Sequence, residues 1–211
     1  MKITILFLFL LCTISTKINA EITTIIYAPQ DEYAEINKNN KESSELFEIL
    51  MGLTAGDKTE AALKAEKNLG SQMPPTILAL GNYYLAQRNF EKAVLFHRLS
   101  MLRAYIDVRA SNDNSLGDVI PLLYIWIQQA ISNLSKNDEK VYTDTFKIIT
   151  KKIIALDKDL PRNYDIRWAS LHSINAFTND SLNYPNEEGL QKIIESVREE
   201  YIAAAKEHEI W

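Results

Sequence analysis

The chain has 211 residues, 23 Lys and Arg against 28 Asp and Glu, a single cysteine and 46% apolar residues. That balance excludes a disulfide scaffold, a collagen-like fibre and a mostly disordered acidic tail. With 24% charged residues and only six Gly and six Pro, it reads as an ordinary globular chain.

The N-terminus shapes the rest of the reading. Met1-Lys2 is positive, Ile3 to Cys12 form an apolar run broken only by Thr4, and Ile18-Asn19-Ala20 precede Glu21. A basic start, a short apolar core and a small residue at the cut are the features a signal peptidase reads. The apolar run is about half of the roughly 20 residues that cross a bilayer as a helix. Residues 1–20 are therefore expected to be a signal peptide cleaved after Ala20, with an uncleaved anchor as the competing reading. Leu11 stands before Cys12, where lipid attachment requires a small residue. Cleavage removes Lys2, Lys17 and Cys12, leaving 21 basic and 28 acidic residues, a formal charge of −7 and no cysteine. A cysteine-free exported chain with a large core fits the bacterial periplasm, because secreted eukaryotic domains more often use disulfides. Secretion is the alternative location.

Residues 21–41 read as an extended N-terminal arm and linker, with a β-rich start from Ile22 to Tyr27, Pro29 and the polar run Asn37-Lys38-Asn39-Asn40-Lys41. From 42 to 211 the apolar period is helical, predicting a single all-α domain of about eight helices joined by short connections. Expected helices cover 43–53, 58–69, 74–87, 90–110, 119–134, 138–156, 165–177 and 187–208. Pro74-Pro75 suits a first turn, and Asp118 is a plausible N-cap. The stretch 119–134 is apolar nearly all round and reads as the buried centre. Tyr142, Phe146, Ile149, Ile153 and Leu156 form one helical face, and Leu190, Ile193, Ile194, Val197 and Tyr201 another.

Ile77-Leu78-Ala79-Leu80-Gly81-Asn82-Tyr83-Tyr84 followed by Asn89-Phe90-Glu91-Lys92-Ala93 resembles a tetratricopeptide or Sel1-like repeat over residues 75–104. Gly81 and Ala93 are small where two helices must approach, and Leu80 and Tyr84 fill the space beside them. Three positions depart from the pattern: His97 replaces an aromatic, Arg88 the turn glycine, and Tyr105 the closing proline. The resemblance implies antiparallel helical hairpins, either a short divergent array or a compact bundle. It also implies protein binding on a groove lined by the first helix of each pair, which Asn82 would face.

Catalytic signatures are missing from the sequence. His97, His172 and His208 are far apart, and no nucleophile elbow, phosphate loop or dinucleotide fingerprint occurs. Asn112 to Leu123 fails as a calcium loop at its fifth and twelfth positions, both leucine. No catalytic residue, metal ligand or cofactor is expected. His97 reads as a packing residue. Residues 88–109 carry Arg88, Lys92, Arg98, Arg103 and Arg109 against Glu91 and Asp107. Helical geometry splits these cations between faces, which predicts pairing with surrounding acids instead of an anion-binding patch. Overall charge and export disfavour nucleic acid. The expected function is non-enzymatic protein binding in the periplasm, with an immunity protein against a basic periplasm-delivered toxin as its narrower form. A periplasmic hydrolase whose carboxylates converge only in the fold, or an accessory subunit of an envelope complex, are the alternatives.

Overall fold

The structure, a computed structural model, describes residues 31–111, 113–173 and 182–207. Its α-helices are α1 (Asp31–Asn39), α2 (Lys41–Met51), α3 (Lys58–Lys67), α4 (Pro74–Ala86), α5 (Phe90–Ser111), α6 (Val119–Ile131), α7 (Lys136–Asp159) and α8 (Glu187–Glu207). Tight 3-10 turns occupy Leu69–Ser71, Asn114–Asp118 and Ile166–His172. Every described element is helical, so the chain is all-α. The expected cleavage segment 1–20, part of the arm, His208 and the end of the 165–177 helix lie outside the described residues.

Local chemistry sets the helix ends. The Asp57 carboxylate accepts from the Thr59 and Glu60 amides at 2.7 and 3.2 Å and starts α3. Ser135 starts α7: its Oγ accepts from the Asp138 amide at 3.2 Å and donates to the Asp138 carboxylate at 2.8 Å. Pro74 and Pro75 open α4, where their missing amide hydrogens leave no bond unmade. Asp118 precedes α6 but makes no capping bond, whereas Asp113 accepts from Ser115 and caps the turn before it. The α4–α5 turn is a Schellman motif, with Arg88 N–H donating to Leu85 O and Asn89 N–H to Tyr84 O, both at 2.9 Å. Arg88 itself sits at φ 57, the left-handed conformation that glycine takes most easily.

Two expectations are corrected. The extended arm over 21–41 instead becomes helical from residue 31, and its polar end is a clamp. Tyr33 and Ile36, one turn apart on α1, are buried, which supplies the apolar contact that the polar residues around them conceal. Asn40 donates through Nδ2 to the Asp165 carbonyl at 3.0 Å and accepts from the Asp165 amide at 2.9 Å.

The second correction concerns the buried centre, which is α5 and not 119–134. α5 packs against α4, α6, α7 and α8 and buries residues on every side, including His97, Ser100, Arg103 and Asp107. Each of these four polar residues meets a neighbour: Ser100 Oγ, for example, donates to the Pro74 carbonyl at 2.6 Å. α6, the most apolar helix, lies at the edge. It buries only Leu123 and Ile127, while Leu122, Tyr124 and Ile125 stay 47%, 54% and 47% exposed.

Candidate functional site

α5 organises the site because its polar residues point into separate environments. Toward the C-terminal end of α7, Asp157 accepts from three arginines: Arg103 Nε at 3.0 Å, Arg162 Nη2 at 2.9 Å and Arg198 Nη2 at 2.7 Å. Arg103 and Asp157 are fully buried, and Arg103 also donates to the Leu160 carbonyl at 3.0 Å. Burial alone would raise the Asp157 carboxyl, but Arg162, Arg198 and Arg103 outweigh it and hold the group below the usual carboxylate range. One turn along α5, Asp107 accepts from Tyr164 Oη at 2.9 Å and Trp168 Nε1 at 2.8 Å. Burial dominates there and pushes its carboxyl up to about 7, against the opposing pull of Trp168, Arg162, Tyr164 and Arg103. Both clusters tie elements together. Neither aspartate lines any of the three cavities described below.

His97 occupies the other flank of α5. Its ring lies against Gly81, where an added Cβ would come within 2.3 Å of Cδ2. Nδ1 lies 2.8 Å from Tyr142 Oη, and Nε2 lies 2.9 Å from Asn82 Oδ1. Burial lowers the imidazole to about 3, so the ring is neutral. A neutral ring has one donor. Nε2–H therefore donates to Asn82, and Nδ1 accepts from the Tyr142 hydroxyl. This assigns Asn82 a geometric place: half-buried on α4, it fixes His97 and lines a cleft of about 360 Å³ with Arg88, Ser135 and Asp138.

On the far side of His97 lies the principal groove, about 710 Å³, between α5, α6, α7 and α8. Aromatic and aliphatic residues make up most of its walls, with the exposed Tyr105 and Tyr124 at the outer side and the more buried Tyr142, Phe146 and Tyr201 deeper. A second cavity of about 670 Å³ adjoins it and shares Met101, Tyr105, Arg109 and Tyr124 as lining residues. Arg109 donates to both oxygens of Glu200 at 2.6 and 2.9 Å.

The cations of residues 88–109 pair with acids at four positions: Arg88 with Asp138, Lys92 with Glu66, Arg103 with Asp157 and Arg109 with Glu200. Arg98 is the exception. Its guanidinium lies 4.3 Å from the Phe146 ring centre and 4.6 Å from that of Tyr201, and Nε donates to Tyr201 Oη at 2.7 Å. No carboxylate pairs with it among the described residues.

Sequence reasoning singled out Asn82 and His97, and the structure brings these two together. It missed the groove. Tyr142, Phe146 and Tyr201 were assigned to helical core stripes, and those stripes do face inward, but toward a gap between helices. His172 lies exposed at the end of its turn. Among the described residues, no group of three His, Cys, Asp or Glu is placed to hold a metal ion. No described helix is long and apolar enough to cross a membrane.

The site thus belongs to an all-α protein with an aromatic groove and an exposed apolar helix. Comparison with family models, curated proteins and solved structures found no match for the chain.

Proposed function

We propose that this is an exported, non-enzymatic protein that works in the periplasm by binding another protein through the outer face of α6. The observation that carries the reading is the exposure of Leu122 and Ile125 side by side on a helix without a single charged residue, with the exposed Tyr124 at the groove edge of that helix. Exposed apolar surface concentrated in one place marks an interaction site more often than scattered apolar residues do. Tyrosine at its edge suits such a surface, since it combines apolar area with a polar tip. The hydrolase alternative needs converging carboxylates in a cavity, whereas the principal groove holds only Glu200, already bound by Arg109.

A narrower form of this reading is an immunity protein that captures a toxin delivered into the periplasm. The formal charge of the whole chain, −5, would speed encounter with a basic partner. An adjacent gene for an exported toxin supports that form, and its absence counts against it.

Affinity capture of the mature protein from its native envelope, at two salt concentrations, tests the broader reading. A stoichiometric partner should be recovered by the wild type and lost by Ile125→Asp. Recovery of no such partner, or equal recovery by the variant, would overturn it. Because Ile125 is largely outside the core, that variant should keep its melting temperature.

A further inference from the structure

We propose that the groove between α5, α6, α7 and α8 is a binding site for a single-chain fatty acid, its carboxylate seated on Arg98 and its acyl chain lying along α5. This goes beyond partner docking on the outer face of α6 and does not depend on it. Three observations converge.

The first is charge. Arg98, Arg109 and Glu200 line the groove, Arg109 and Glu200 neutralise each other, and His97 is uncharged. Among the described residues one positive charge therefore stands without a counter-ion, in a cleft whose other lining is aromatic and aliphatic apart from Gln128, on a chain whose net charge is −5. Phe146 and Tyr201 hold the guanidinium by its faces and Tyr201 occupies its Nε. Among the described residues no hydrogen bond occupies its terminal nitrogens, and two such donors match a carboxylate.

The second is shape. Arg98 and Arg109 are eleven residues apart on one helix, about 16 Å at 1.5 Å per residue. Both arginines line the groove, so it runs along that length of α5. An elongated cleft suits an extended chain better than a compact metabolite.

The third is size and lining. About 710 Å³ lies within the roughly 300–1,000 Å³ typical of small-molecule sites, which are mostly apolar with few polar groups fixing orientation. Here Arg98 fixes the head, and Met101, Ile127, Ile131 and Val197 offer apolar contact to the chain.

The test uses the purified protein, with dodecanoate as probe and dodecanol as the chain-matched control lacking a carboxylate. Binding is read by displacement of dansyl-undecanoic acid and by calorimetry. One dodecanoate per chain is expected, with dodecanol at least about ten-fold weaker, since a charge-assisted contact is lost. Arg98→Met should bring dodecanoate down to the level of dodecanol, Arg98→Lys should keep part of the preference, and Ala204→Phe should weaken both ligands by narrowing the groove. Absence of saturable binding, or equal affinity of the wild type for the two ligands, would overturn the proposal. That comparison needs no variant, so it stands even if Arg98→Met fails to fold.

Discussion

At the scale of single residues, two positions in the α4–α5 hairpin show how backbone and side-chain demands meet. Arg88 adopts φ 57 at the position where the repeat resemblance expects glycine. The Schellman bonds force that conformation, and a side chain there strains the backbone by roughly 1 kcal/mol. Arg88 recovers part of this through a 3.2 Å contact with Asp138, but its side chain is 73% exposed and such pairs contribute little. Arg88→Gly should therefore raise stability by up to about 1 kcal/mol, seen as a higher urea midpoint with an unchanged slope. Gly81 is the opposite case. A methyl group there meets the His97 ring, which cannot withdraw without breaking its bonds to Asn82 and Tyr142. Gly81→Ala should destabilise by about 1–3 kcal/mol by overpacking. The double variant Gly81→Ala/His97→Ala should fall short of the sum of its two single effects, because the clash is gone.

Between elements, the three-arginine cluster on Asp157 joins three segments of the chain. It joins α5 through Arg103, the segment after α7 through Arg162, and α8 through Arg198. Desolvation makes such a cluster a weak source of net stability, yet removing one partner leaves charges buried and unpaired. Asp157→Ala should therefore destabilise by about 3–5 kcal/mol, and hydrogen exchange should show α8 amides losing protection with those of α7. α6 is fixed differently: Leu123 and Ile127 are its buried side chains, Val119, Ile120, Trp126 and Ile131 pack partly against the core, and Leu122, Tyr124 and Ile125 stay exposed.

For the molecule as a whole, buried titratable groups predict an unusual pH profile. Burial lowers His97 to about 3. Its contribution is complete above its ordinary value near 6.5 and is lost as pH falls toward 3. Asp107, raised to about 7, has the opposite sign: its contribution is complete below 3.8 and is lost as pH rises through 7. Between about pH 4 and 6.5 the two slopes oppose each other, each up to about 1.4 kcal/mol per pH unit. Wild-type stability should therefore be nearly flat there. Below about 4 it should fall, as Asp157 and Asp165, both held below the usual range, take up protons. Denaturant midpoints across pH check this. Asp107→Asn should uncover stability rising with pH between 4 and 6.5, and His97→Gln should uncover the reverse. Slopes unchanged in both variants would refute the assignment.

Much of the fold was legible because helix formation leaves local marks. The apolar period located α2 to α8 within a few residues, the proline pair marked the start of α4, and Gly81 and Ala93 lie where α4 and α5 approach each other. Asn82 and His97 stood out for the same reason, since they sit inside that patterned hairpin. Burial could not be read so directly. Hydropathy placed 119–134 at the centre, but a helix is buried by the number of neighbours it receives. α5 receives four and hides its polar groups by pairing them, while α6 lies against one side of the bundle. The arm was misread because two apolar residues anchor α1 from within a polar run. The sequence by itself determined that the chain from about residue 42 would be helical and where most of its helices would begin and end, since periodicity and caps act within a few residues. Only the tertiary structure decided which arginines found acids and which one, Arg98, was left among aromatic rings facing a groove, because such pairing is set by helices that are distant in sequence and close in space.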